Sequence, residues 1–190
     1  MTGDGSLIGT AVETPRLNWG CGAHPEPGWV NSDLKDGPGI ELSCDIRDGL
    51  PVADETFDYV VSIHALPMIS YGELVPVLQE LRRVLRRGGV LRLGLPDLER
   101  AIRAYQGGDR SYFLVPDEDE ATLSGKLITQ LLWYGWTVTL FTEEFALDLL
   151  QRAGFRDVRP CPFQRTTSAY PAIVSLDNRP RESFFVEGVR

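Results

Sequence analysis

The chain alternates between two hydrophobic periods. Short apolar segments fit for strands lie at residues 16–20, 29–33, 40–45, 57–63, 89–95, 156–163 and 183–189. The run Phe57-Asp58-Tyr59-Val60-Val61-Ser62-Ile63 is nearly all apolar, the pattern of a parallel strand buried on both faces. Between these segments apolar residues recur at helical spacing. Leu74, Leu78, Leu81 and Leu85 predict a helix over residues 72–87, closed by Gly88. Asp97 predicts the cap of a short helix ending near Tyr105, and Leu123, Leu127, Ile128, Leu131 and Leu132 form a further stripe. Thr142 caps a helix carried by Phe145, Ala146, Leu149, Leu150 and Ala153, and Gly154 ends it. Strands alternating with helices indicate an α/β protein with a mostly parallel sheet.

Two connections depart from that alternation. Only residues 23–28 separate the first two strands, and they include Pro25, Pro27 and Gly28. Six extended residues reach roughly 20 Å, so a parallel pair requires a crossover without a helix. No helical pattern separates the last two strands, which predicts an antiparallel, hairpin-like pair.

The first strand ends in Gly20-Cys21-Gly22. In open α/β sheets ligands bind at the carboxyl edge of the strands. A dinucleotide site would add a third glycine and a helix N-terminus for the pyrophosphate. Here Ala23, His24 and Pro25 follow instead. A nucleoside ligand without a phosphate, such as S-adenosylmethionine, fits better, against the plain alternative of a tight turn. Asp33, with Leu34 beside it, ends the second strand, where a carboxylate holds a ribose or simply closes a turn. Asp45 and Ile46 end the third, as an adenine contact or a cap. Ser62, Ile63 and His64 fall at the ligand-facing end of the fourth. His64 is a candidate acid–base residue by its intrinsic pKa, or a strand-end histidine that touches the cofactor. Asp97 sits at the same end of the fifth strand. Trp133-Tyr134-Gly135-Trp136 reads as core packing or as a lid over a pocket.

The net charge of −8 argues against a nucleic-acid or acidic-membrane surface. The arginine run Arg82, Arg83, Arg86, Arg87 therefore reads as a solvated helix face. Three scattered cysteines lack metal-ligand spacing, and no bound metal is expected. With no leader pattern and no apolar run of about 18 residues, a cytoplasmic setting is expected. Residues 1–15 read as a flexible arm and residues 16–190 as one domain, with 106–140 as a possible lid insertion.

Taken in order, these segments resemble the class I S-adenosylmethionine-dependent methyltransferases, in the small branch that lacks the first helix after the glycine turn. The resemblance runs from about Leu17 to the C-terminus. It rests on Leu17-Asn18-Trp19-Gly20-Cys21-Gly22, the spaced Asp33, Cys44-Asp45-Ile46 before Leu50-Pro51, and residues 57–62. Glu80-Leu81-Arg82-Arg83-Val84-Leu85-Arg86-Arg87-Gly88-Gly89, residues 149–155 and Phe184-Phe185-Val186-Glu187 complete it. It implies a Rossmann-like seven-stranded sheet in the order 3-2-1-4-5-7-6, with strand 7 antiparallel and helices flanking. It also implies that Gly20, Cys21 and Gly22 pack on the methionine part of the cofactor, Asp33 on the ribose and Asp45-Ile46 on the adenine. The end of the fourth strand would lie near the sulfonium. Relatives often carry Leu-Glu-His after that strand; this chain has Leu66-Pro67-Met68. The expected function is methyl transfer to a small-molecule acceptor. The alternatives are a protein of the same fold with another reaction or a regulatory or partner-subunit role, and a nicotinamide oxidoreductase, which the missing third glycine disfavours.

Overall fold

The computed structural model describes residues 14–190, so residues 1–13 of the expected arm lie outside the described residues. Seven strands form one sheet: β1 (Arg16–Trp19), β2 (Val30–Asp33), β3 (Leu42–Ser43), β4 (Phe57–Ile63), β5 (Leu85–Pro96), β6 (Arg156–Cys161) and β7 (Ser183–Val189). Their order is β3-β2-β1-β4-β5-β7-β6. β7 runs antiparallel to both neighbours, and the other pairs are parallel. This is the Rossmann-like α/β arrangement that the resemblance implied.

Alternation along β4 sends side chains into two different cores. Val60 joins the larger one, with Leu17, Leu91 and Leu93. Helices α1 (Leu74–Val84) and α4 (Glu143–Arg152) close that face through Leu74, Val77, Leu78, Leu81, Ala146, Leu149 and Leu150. Tyr59 and Val61 face the other way, against Trp29, Val90 and Ile173. Among the described residues no α-helix contributes to this second core. Residues 162–182, with a 3-10 turn at Pro171–Val174, cover it instead. Burying each large apolar side chain is worth about 1.5–3 kcal/mol.

That covering segment is fastened by charge. Arg92 of β5 is fully buried; its Nε donates to Asp177 Oδ1 at 2.7 Å and one terminal nitrogen donates to Glu187 Oε1 at 2.8 Å. The same guanidinium donates to the carbonyls of Pro162 and Arg165. A buried charge is tolerable when its donors are met this completely. The result fixes residues 162–182 against the sheet.

Helices α2 (Leu98–Gln106) and α3 (Leu123–Leu132) pack together through Ala101, Ala104, Leu123, Leu127 and Leu131, beside Tyr112 and Phe113. The caps at Asp97, Thr122 and Thr142 form, each accepting a backbone N–H of the first turn.

Two elements and one connection depart most from the sequence expectation, beyond shifts of a residue or two such as β6 ending at Cys161. The helix expected to reach Arg87 ends at Val84, because fully buried Leu85 pairs with Phe57 and already belongs to β5. Pairing resumes at Tyr59 and Val90, so residues 86–89 bulge out opposite Asp58. Gly88 serves this bulge with φ +78°, and a Cβ on Gly89 would meet the Asp58 carbonyl. The arginine run therefore does not share one helix face: Arg82 and Arg83 lie on α1, while Arg86 pairs with Asp58 from the strand. β3 is only two residues long, because Asp45 caps a 3-10 turn at Ile46–Asp48 rather than extending the strand. The connection between β6 and β7 is no tight hairpin, although the pair is antiparallel as expected.

Candidate functional site

A cleft of about 730 Å³ opens over the carboxyl ends of β1, β2, β4 and β5. That is the size of a small-molecule site. Its floor is the glycine turn. The N–H groups of Gly20 and Cys21 both donate to the Ser32 carbonyl, at 2.8 and 3.1 Å. Gly20 has φ +69°, and a Cβ there would overlap Ala65. Gly22 has φ +56° and open space where a Cβ would be, so a ligand can approach its backbone. Cys21 is buried, and burial with the nearby Asp33 raises its thiol pKa; it is no thiolate.

As expected, residues 23–28 contain no helix. A polar network takes the helix's place. The buried Asn31 side chain accepts from Glu26 N–H at 2.9 Å and from Asn18 at 3.0 Å, and donates to the Glu26 carbonyl. Arg16 Nε holds the Gly28 carbonyl at 2.8 Å. These bonds pin an extended crossover and leave no helix N-terminus to bind phosphate.

Most of the expected residues meet in this cleft: Gly20, Cys21, Gly22, Asp33, Leu34, Asp45, Ile46, Ile63, His64 and Asp97 all line it. Asp33 Oδ2 accepts from the Gly22 N–H at 2.8 Å, and Oδ1 from the Lys35 N–H at 3.3 Å. It therefore closes the turn while remaining at the cleft wall. Leu34 is 63% exposed, and Ile46 is buried at the cleft wall. Asp45 is held by Arg47, which hydrogen bonds to both its oxygens and keeps its carboxyl below the usual range.

Ser62 is the exception. It is buried, its hydroxyl has no partner among the described residues, and it does not line the cleft. Its place in the strand gives it the same parity as Val60, toward the larger core, while Ile63 turns to the cleft. His64 lines the cleft but is chemically altered. Its φ is +57°, and its Nε2 hydrogen bonds with Ser183 Oγ at 2.7 Å. Burial first, then the Arg179 charge, push its pKa down to about 3. The intrinsic pKa that recommended it as an acid–base residue is lost.

The lid segment partly reaches the site. Trp133 and Trp136 line the cleft with Gln130, Leu131 and Thr137, whereas Tyr134 turns away to hydrogen bond Asp119. Trp133 and Tyr134 both have left-handed backbone, uncommon for bulky residues. Each indole meets a cation: Lys35 Nζ lies 5.7 Å from the Trp136 ring, and the Arg179 guanidinium 5.9 Å from Trp133. The chain returning from this segment lands on Leu66–Met68, the triplet where the family pattern is broken. The Val138 and Thr139 N–H groups both donate to the Pro67 carbonyl.

Sequence reading missed Tyr112, Arg179 and Glu182. All three line the cleft, together with Asp97. Burial, with the Asp97 and Glu182 charges, pushes the Tyr112 phenol up to about 12. Burial also raises the Glu182 carboxyl. Nothing in the local pattern marks Arg179 and Glu182; they arrive through the segment fastened by Arg92.

Among the described residues no group of three or more His, Cys, Asp or Glu could hold a metal, and no helix is long and apolar enough to cross a membrane.

The sheet order, the helix-free glycine turn and the cleft above it give this chain the class I S-adenosylmethionine-dependent methyltransferase fold, and S-adenosylmethionine is the cofactor of that class. Residues 20–93, the stretch from the glycine turn into β5, match the family model of a methyltransferase domain. A Thermotoga maritima S-adenosylmethionine-dependent methyltransferase is similar in structure, with 18% identity, a TM-score of 0.55, and coverage of 92% of this chain and 81% of that one. A Mesorhizobium loti S-adenosylmethionine-dependent methyltransferase matches at 17% identity and TM-score 0.52, over 94% and 93% of the two chains. A structure of the Haloferax volcanii Trm112 methyltransferase activator in complex with a methyltransferase matches at 13% identity and TM-score 0.55, over 93% and 82%. No curated protein matches the chain by sequence.

Proposed function

We propose that this protein transfers a methyl group from S-adenosylmethionine to a small-molecule acceptor. The observation that carries this reading is the cleft floor: an open glycine turn flanked by the Asp33 and Asp45 carboxylates, with no helix following the turn to cradle phosphate. Such a floor suits a nucleoside joined to an amino acid through a sulfur and not through phosphates, and not a dinucleotide.

In this reading Gly20, Cys21 and Gly22 let the amino-acid part lie against bare backbone. Asp33 accepts from the ribose hydroxyls, Leu34 and Ile46 sandwich the adenine, and Asp45, oriented by Arg47, meets its edge. When bound, S-adenosylmethionine supplies a methyl group already activated by a positive sulfur. The protein's task is then mainly alignment and exclusion of water. Residues 106–140 act as a lid insertion, with Trp133 and Trp136 over the cleft. Lys35 and Arg179 fasten its tryptophan segment, over Trp136 and Trp133. Tyr112, Asp97, Arg179 and Glu182 form the acceptor end. A dependence on a partner protein, as in the Haloferax volcanii complex, remains a second reading that bears on activity and not on cofactor binding.

The test is methylation itself. The protein is incubated with methyl-labelled S-adenosylmethionine and a panel of small hydroxyl, amine and carboxylic acceptors, and products are read by mass spectrometry. Label in a small molecule supports the reading. Label found only in macromolecules from a lysate would refute the small-molecule acceptor.

A further inference from the structure

Three groups at the acceptor end could receive a proton: His64, Asp97 and Glu182. Two are occupied. His64 Nε2 is engaged by Ser183. Asp97 is held on both oxygens by Arg100, from the backbone N–H to Oδ1 at 2.9 Å and from Nε to Oδ2 at 2.8 Å. Glu182 differs. Its Oε1 accepts one long bond from Arg179, at 3.3 Å. Its Oε2 has no donor among the described residues, although the residue is only 6% exposed. Oε2 is not one of the buried polar atoms that lack a partner, so this otherwise buried carboxylate keeps one free oxygen open to the cleft.

The backbone around it is firmly set. The Glu182 carbonyl accepts from the Asp97 N–H at 2.8 Å, and Arg100 donates to the carbonyls of Pro180 and Ser183. These bonds fix the backbone that carries the carboxylate at the cleft wall.

We propose that Glu182 takes the proton of the methyl acceptor, and that the acceptor is a small hydroxylated aromatic seated beside Tyr112 and Trp133. This rests on the methyl-transfer reading above. Both line the cleft near Glu182: its charge reaches Tyr112, and Trp133 lies under the Arg179 guanidinium that bonds it. The Arg179 cation selects between acceptor types. It would repel an acceptor that arrives as an ammonium ion, and it would stabilise charge developing on an oxygen. The acceptor oxygen passes its proton to Glu182 Oε2 as its lone pair forms the new carbon–oxygen bond. The old bond between methyl and sulfur breaks with its electron pair kept on sulfur. Glu182 then gives the proton to water.

The groups facing Glu182 are Arg179 and Arg181 from its own segment, Asp97 and Arg100 at the start of α2, Tyr112 from the turn Arg110–Tyr112, and His64 through Ser183. Burial raises the carboxyl, and the two arginines oppose it. A carboxyl raised in the folded state contributes stability below its unfolded pKa and loses it as pH rises through the folded pKa. Glu182→Gln keeps the shape and removes the charge. Its melting temperature should match the wild type at pH 4 and exceed it by about 2 °C or more at pH 8. A lower melting temperature at pH 8 would show that the carboxylate is a structural partner of Arg179, and would overturn the proposal.

The same variant is then assayed with labelled S-adenosylmethionine against phenol, catechol and 4-hydroxybenzoate, beside benzylamine and phenethylamine. The expected result is methylation of a phenol, a turnover about 100-fold lower in Glu182→Gln, and unchanged S-adenosylhomocysteine affinity. Methylation of amines alone, of none of the panel, or equal turnover in the variant would overturn it. Failure of the wild type to bind S-adenosylhomocysteine would instead refute the underlying function, a result read separately from the melting profile.

Discussion

Replacing Asp33 by alanine separates the two jobs that the structure gives this carboxylate. It ties the glycine turn, through the Gly22 N–H at 2.8 Å and the Lys35 N–H at 3.3 Å. In the proposed function it also accepts from two ribose hydroxyls. Hydrogen bonds to a charged group are worth about 1.5–3 kcal/mol each. Water competes in an open cleft, so the net loss sits at the lower end, a roughly 10- to 100-fold weaker affinity. S-adenosylmethionine and S-adenosylhomocysteine should lose equally, since the ribose is common to both. The turn bonds add a second effect. Losing the 2.8 Å bond at a half-exposed site costs about 1 kcal/mol, a fall of roughly 2–4 °C in melting temperature. Calorimetric titration of both ligands, beside thermal melts of the ligand-free variant, reads the two effects apart. A lowered melting temperature with unchanged affinity for both ligands would refute the ribose role and leave only the turn.

Three further outcomes follow from the geometry. Gly20→Ala introduces a side chain at φ +69° against Ala65; strain of about 1–3 kcal/mol should lower the melting temperature and abolish measurable S-adenosylhomocysteine binding, and retained binding would contradict the tight floor. Arg92→Met leaves Asp177 buried without its cation and Glu187 with Arg159 alone, and should cost about 3–5 kcal/mol in urea unfolding; a loss under 1 kcal/mol would show that the cluster does not fasten residues 162–182. His64 should remain neutral from pH 8 to pH 5, because its pKa lies near 3. Its depressed pKa contributes stability above the unfolded value of about 6.5 and loses it as pH falls toward 3. An imidazole NMR signal for His64 titrating near pH 6.5 would contradict this.

Local pattern carried much of the fold. The apolar run of β4, the stripe of α1 and the caps at Asp97 and Thr142 all act within one element, so periodicity reports them directly. The strand order came from the resemblance, and the sheet follows it. What failed depends on contacts between elements. Leu85 continues the helical stripe, yet its pairing with Phe57 takes it into β5. Ser62 lies at the correct end of β4, but strand alternation turns it from the cleft. Asp33 had been divided between ribose ligand and turn residue, and the bond to Gly22 makes the turn role real without removing it from the cleft. Arg179 and Glu182 were invisible because an irregular segment carries them, and the ion cluster around Arg92 anchors that segment over a long sequence distance.

The central claim is that the cleft accepts an adenosine-bearing ligand without a pyrophosphate. Calorimetric titration of the wild-type chain with S-adenosylhomocysteine, and separately with NAD, tests it directly. The expected result is one S-adenosylhomocysteine bound per chain, with no heat from NAD. Binding of NAD, or no binding of S-adenosylhomocysteine, would contradict it.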